Sequence, residues 1–337
     1  MALIKLDLPA GIYRNGTDLQ ASGRWRDSNL VRWHDNTLRP IGGWRPRSDT
    51  AAAAKVRGLH AWIDNSSDRW IGAGTYNTLY IYNSSGTQYD ITPAGLVAGT
   101  EDALNPVGYG NATYGQELYG IPRIAASTTT PATSWSLDSS GRIQYGVKVQ
   151  NQTLILTDTD AHVASYSGPP YVYGIERVGT SCGIISANAK AVVDIGAMWM
   201  GRRSFYGYNG GKVAEIPCDV SDYVFSDINV SQISKVAAVP NANYSEVWWF
   251  YPSGSSNEND RYVAYNYNDN TWSIGLMART DGVDAGVFRY PISASATDRK
   301  LYEHEIGFNY DGIEPFVESG PISIGDGENV MSVTQMI

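Results

Sequence analysis

Gly179-Thr180-Ser181-Cys182-Gly183 matches the spacing of a nucleophile elbow, where a serine is held on a sharp turn between a strand and a helix. That chemistry needs an Asp or Glu and then a His later in the chain, and His304 is the only later His. No alternating strand–helix pattern surrounds the pentapeptide, and no His-Gly-Gly loop precedes it. A tight turn between two β units is the simpler reading, which leaves a serine hydrolase as a remote alternative. Tyr302-Glu303-His304-Glu305-Ile306 lacks a second His at zinc-protease spacing. Cys182 and Cys218, with histidines at 34, 60, 162 and 304, make no recognisable metal set, and both cysteines read as free, buried thiols. Asn257, Glu258, Asn259 and Asp260 could offer oxygens to calcium, but a solvated turn explains them as well. The expectation is a chain with no catalytic residue, no metal and no cofactor.

Recognition is the stronger theme. Arg24, Trp25, Arg26, Arg32, Trp33, Arg39, Trp44 and Arg45 interleave cations and indoles within about twenty residues. Trp and Arg dominate protein interfaces because they combine large apolar area with directed hydrogen bonds. Stacking and phosphate pairing with nucleic acid is a second use, and an edge hairpin with inward Trp and outward Arg is a third. Residues 1–60 carry ten basic side chains against five acidic, and the remaining 277 carry 15 against 29. A basic leading segment thus faces an acidic body. That asymmetry supports docking on another subunit rather than on DNA, since broad adhesion to phosphate needs a positive face. On this reading, removing residues 1–47 leaves a folded body that no longer assembles.

The elements that must hold these residues are strands. Tyr (23) outnumbers Leu (16), and there are 35 Gly and 21 Asn. Such a mixture suits short strands and tight turns better than helices. Leu79-Tyr80-Ile81-Tyr82, Ser204-Phe205-Tyr206-Gly207-Tyr208 and Arg261 to Tyr267 are aromatic strands, each followed by a polar turn and a return strand. Tyr82, Tyr208 and Tyr267 mark equivalent points, with a weaker copy around Tyr166. A period near ~40–50 residues with about four strands per unit predicts an all-β fold, a β-propeller of six or seven blades. A sandwich of hairpins explains the alternation but not the spacing. The expected organisation is an N-terminal arm over 1–55, a propeller body over 56–320 with a Gly/Tyr-rich excursion near 105–145, and a terminal strand over 321–337. No run approaches the ~18 apolar residues of a membrane span, and Met1 to Asp7 lacks the pattern of a signal peptide.

Several stretches carry a resemblance. Leu8-Pro9-Ala10-Gly11-Ile12-Tyr13-Arg14-Asn15-Gly16-Thr17, Leu30-Val31-Arg32-Trp33 and Arg39-Pro40-Ile41-Gly42-Gly43-Trp44 resemble virion structural proteins of short-tailed bacteriophages, the tail nozzle and packaged-DNA stabilisation proteins. Ala132 to Asp138, Cys218 to Phe225, Glu246 to Pro252 and Leu301 to Glu305 extend the likeness over nearly the whole chain. The resemblance implies a non-enzymatic ring subunit, usually in six copies, made in the host cytoplasm and built into the virion tail. Its implied partners are copies of itself, the portal or adaptor and other tail proteins, with DNA passing through the lumen without sequence-specific binding. A receptor- or glycan-binding propeller, whose exposed Trp and Tyr stack on sugars, is the alternative.

Overall fold

The computed structural model describes residues 8–96, 98, 123–124, 135–168 and 173–322. Much of the 105–145 excursion, and the terminal strand from residue 323 onward, lie outside the described residues. Among the described residues, five four-stranded antiparallel sheets form the ring of a β-propeller. Blade one is Gly58–Ile63, Arg69–Gly74, Leu79–Tyr82 and Gln88–Asp90. Blade two is Ile143–Val149, Gln152–Thr157, Ala161–Tyr166 and Tyr173–Gly179. Blade three is Lys190–Val193, Gly196–Met200, Phe205–Tyr208 and Val213–Ile216. Blade four is Ala237–Asn241, Glu246–Tyr251, Arg261–Asn266 and Thr271–Leu276. Blade five takes Arg279–Val283, Ile292–Ser295 and Leu301–His304, and borrows Trp44–Pro46 as its outer strand.

The aromatic hairpins fall where the repeat predicts. Tyr82, Tyr166 and Tyr208 each end the third strand of a blade, and Tyr267 follows the third strand of blade four. Asparagine sets the turns: Asn83 Oδ1 accepts from the amides of Ser85 (3.0 Å) and Thr87 (2.9 Å), closing the return into the fourth strand. Gly86, at φ +87°, belongs to the same turn, where a Cβ would lie 2.0 Å from the Arg47 carbonyl. The expected count of six or seven blades is corrected to five among the described residues. The long step from Tyr82 to Tyr166 suggests an intervening unit, yet only the two-stranded pair Arg123–Ile124 and Trp135–Ser136 is described there. Blade five also escapes the repeat, because its outer strand comes from the other end of the chain.

Glu246–Tyr251 is buried throughout, since this strand lies between two cores. Val247, Trp249 and Tyr251 face a large cluster shared by blades two, three and four. Trp248 and Phe250, on the opposite face, join Leu30, Ile41, Trp44 and Tyr262 between blades four and five. A third cluster, around Ile71, Tyr82, Ile292 and Leu301, joins blades five and one. Phe205 packs 4.8 Å from both Trp249 and Trp272, centroid to centroid. Each such ring contributes roughly 1.5–3 kcal/mol by leaving water.

Residues 8–55 are woven into this body. Trp25–Asn29 pairs with Phe316–Ser319. Val31–His34 and Thr37–Pro40 form a hairpin whose turn residues, Asp35 and Asn36, have φ of +51° and +55°. Two successive left-handed residues are what a two-residue hairpin turn requires, and Asp-Asn tolerates them.

Candidate functional site

The stretches that drew attention in the sequence are joined to one another in space. The Ile12 amide donates to the Trp272 carbonyl, and Arg14 donates to that of Asp219. The Asn15 side chain donates to the Cys218 carbonyl (2.7 Å) and accepts from the Asp222 amide (3.0 Å). Trp44 pairs in register with His304, and its indole N–H donates to Asp311 (2.6 Å). These bonds tie the leading segment across blades three, four and five.

Arg32 is the knot. Its Nε lies 3.0 Å from Glu246 Oε1, and its Nη1 and Nη2 donate to the two oxygens of Glu305 at 3.0 and 2.5 Å. The Tyr244 ring covers its guanidinium at 3.6 Å. Glu305 also accepts from the Gly42 amide and the Asn241 side chain, both at 2.9 Å. The Trp248 indole donates to Glu246 (2.9 Å). One cation therefore serves two carboxylates in a site where Arg32 and Glu246 side chains are each 2% exposed. Burial raises Glu246 to about 7, against the pull of Arg32 and with the help of the Glu305 charge.

The residues read as an interface separate into two groups. Arg32, Trp33 and Trp44 are buried in the chain's own cores, so the expectation that they contact a partner is corrected. Trp25 is half-buried and packs on the large cluster. Arg24 pairs with Asp219 (3.2 Å), and Arg26 with Asp18 (2.8 Å). Arg45 is 60% exposed and shares Glu303 with Arg47. Arg39 is exposed at the foot of the hairpin and has no ion-pair partner among the described residues. Only Arg39 and Arg45 of the eight present themselves openly to solvent.

Ser181 lies in the turn between blades two and three, at φ +56°, and its carbonyl accepts from the Tyr206 hydroxyl (3.1 Å). His304 sits in blade five, where its Nε2 accepts from Arg279 (2.9 Å). Serine and histidine thus belong to different parts of the ring. Cys182 and Cys218 are both free. Burial pushes the Cys182 thiol up to about 11 and raises that of Cys218 further. Glu258 holds Lys55, Arg57 and Lys235 on one oxygen at 3.1, 2.8 and 3.0 Å. Burial alone would raise its pKa, but the three cations outweigh it and leave about 2. Asn259 donates to the Lys235 and Arg279 carbonyls, so this turn is spent on cross-links within the protein.

A cavity of about 730 Å³ lies among the inner strands of the propeller and runs along blade one. All five inner strands reach it. His60 and Trp62 stack, with centroids 5.9 Å apart and planes at 18°. Lys190 Nζ lies 3.7 Å from the Tyr145 ring centroid. Asp281 accepts from the Leu59 amide (2.7 Å), and burial raises it to about 6. Sequence reasoning passed over this set. The available signals were the charges of Lys190 and Asp281, each on a short strand between turns.

No family model matches the chain, and no curated protein does. Among solved structures, a streptogramin B lyase is similar over 77% of this chain and 96% of its own, at 12% identity and a TM-score of 0.44. A luciferin-regenerating enzyme is similar over 83% and 99%, at 9% identity and a TM-score of 0.40. A calcium-binding protein, regucalcin, from Agrobacterium tumefaciens is similar over 80% and 97%, at 9% identity and a TM-score of 0.39.

Proposed function

We propose that this propeller is a non-catalytic structural subunit of a short-tailed phage tail, forming a ring that retains or conducts DNA below the portal or adaptor. The observation that carries the reading is the convergence of the stretches behind the resemblance. Segments 8–17, 30–33, 39–44, 218–225, 246–252 and 301–305 are far apart in sequence, yet Asn15–Cys218, Arg32–Glu246, Arg32–Glu305 and Trp44–His304 join them directly. A chain that needed only a propeller could close its ring without such lacing. The acidic balance beyond residue 60 supports a lumen from which phosphate is repelled, so that DNA slides rather than sticks. Arg39 and Arg45, the exposed cations of the leading segment, supply contacts to the acidic body of a neighbouring copy.

Mass in solution and electron microscopy of the purified protein, then of virions from its source, test this. Closed rings, and density for the propeller around the tail axis, are expected. A protein that stays monomeric and is missing from the tail overturns the reading.

A further inference from the structure

Lys190 and Asp281 carry opposite charges into the axial cavity, yet no ion pair joins them among the described residues. Lys190 comes from the inner strand of blade three and Asp281 from that of blade five. The Lys190 ammonium has an aromatic face for company, 3.7 Å from the Tyr145 centroid, and no hydrogen-bond acceptor among the described residues. Asp281 accepts from backbone amides, those of Leu59 and Gly282, and feels the Lys190 charge at longer range. Two partly desolvated charges that attract each other across the cavity without pairing directly recover only part of their desolvation cost. Glu258, by contrast, is held by three cations.

We propose that the axial cavity binds a neutral carbohydrate, with Trp62, His60 and Tyr145 stacking on the ring faces and Lys190 and Asp281 bonding to hydroxyl groups. The volume of about 730 Å³ lies within the range of small-molecule sites, ~300–1,000 Å³. A hydroxyl both accepts and donates, so one polyol satisfies an ammonium and a carboxylate together. An anion would be drawn to Lys190 and repelled by Asp281, and a cation the reverse. The apolar C–H face of a pyranose matches the flat His60–Trp62 stack. Gln144, on the inner strand of blade two, adds an amide that donates and accepts at the same wall. This inference goes beyond the ring reading and stands or falls apart from it, because the cavity lies within a single propeller.

The test is saturation-transfer NMR and calorimetry on the full chain. The probes are maltotriose, cellotriose and a β-linked galactotriose, with glycine betaine as a zwitterionic control. At least one trisaccharide is expected to bind at millimolar concentration or below. Trp62→Ala and Lys190→Met should each weaken it by about tenfold or more, the scale of one lost stacking or charged contact. Tyr166→Ala, on an exposed strand end away from the cavity, should leave binding unchanged. Should Trp62→Ala fail to fold, Lys190→Met and Asp281→Asn carry the test, with thermal melts confirming their folds. The proposal is overturned if no trisaccharide binds the native protein, if betaine alone binds, or if the cavity substitutions leave affinity unchanged.

Discussion

Arg32 and Glu246, on strands more than two hundred residues apart in sequence, face each other at 3.0 Å with both side chains 2% exposed. The contact is one arm of a cluster in which a single guanidinium answers two carboxylates. It pins the N-terminal hairpin to blade four through Glu246 and to the end of blade five through Glu305.

Replacing Arg32 with Met should therefore be severe. It strands two buried carboxylates with no cation, and loss of one partner from a buried ion pair costs roughly 3–5 kcal/mol. Urea unfolding of Arg32→Met, read as a shift in midpoint, measures this. The double variant Arg32→Met/Glu246→Gln should recover part of the loss, because it removes one of the stranded charges.

Stability should peak in mildly acidic solution. Glu246 rises from 4.5 to about 7 and Asp281 from 3.8 to about 6, both chiefly through burial. The folded state then binds more protons than the unfolded state across that window, so stability falls as pH climbs from about 4.5 to 7. Glu258 moves the other way, from 4.5 to about 2, so its contribution is lost as pH drops through that range. Urea midpoints collected from pH 2 to 8 should pass through a maximum near about 4–5. In Glu246→Gln the decline towards neutral pH should flatten.

Truncation should do more than block assembly. The expectation that a chain lacking residues 1–47 stays folded does not survive the structure, since Trp44–Pro46 is the outer strand of blade five. Deleting through residue 47 removes that strand, the indole bond of Trp44 to Asp311, and the Arg32 cluster. Loss of the cooperative urea transition, with near-ultraviolet dichroism flattened, is the expected result.

Surface and turn changes should be mild by comparison. Arg39→Glu should alter stability by less than about 0.5 kcal/mol, while weakening ring formation in sedimentation. Ser181→Gly should keep or slightly raise stability, by up to ~1 kcal/mol, because glycine accepts φ +56° without a Cβ penalty. A serine-directed fluorophosphonate should leave Ser181 unlabelled.

The strand rhythm was legible because each blade repeats one local device, an aromatic strand and an asparagine turn, within a short span. Tyr82, Tyr166, Tyr208 and Tyr267 report that device faithfully. The blade count was not legible, because closing blade five is a pairing between Arg45 and Glu303, 258 residues apart. Local pattern cannot encode such a pairing. Arg32, Trp33 and Trp44 look like surface anchors for the same reason. What surrounds them, Glu246 and Glu305 at Arg32 and the apolar cores that take in Trp33 and Trp44, lies far down the chain, and neighbours in sequence give no hint of it. The axial cavity was the least visible, since its wall is assembled from two to four residues on each of five inner strands scattered along the chain.

The closing strand has a consequence for the order in which the molecule is made. Arg45 leaves the ribosome 258 residues ahead of its partner, Glu303. Until that partner appears the strand has an exposed edge and an indole with nowhere to go. Four blades can form in turn as they appear, but the fifth waits for two segments far apart in the chain. Ring closure is then the last and most non-local step, slowed by a loop-closure entropy that grows with the logarithm of the separation. A ribosome-bound chain stopped short of residue 301 should carry the early strand in a protease-sensitive state, and release of the final segment should protect it.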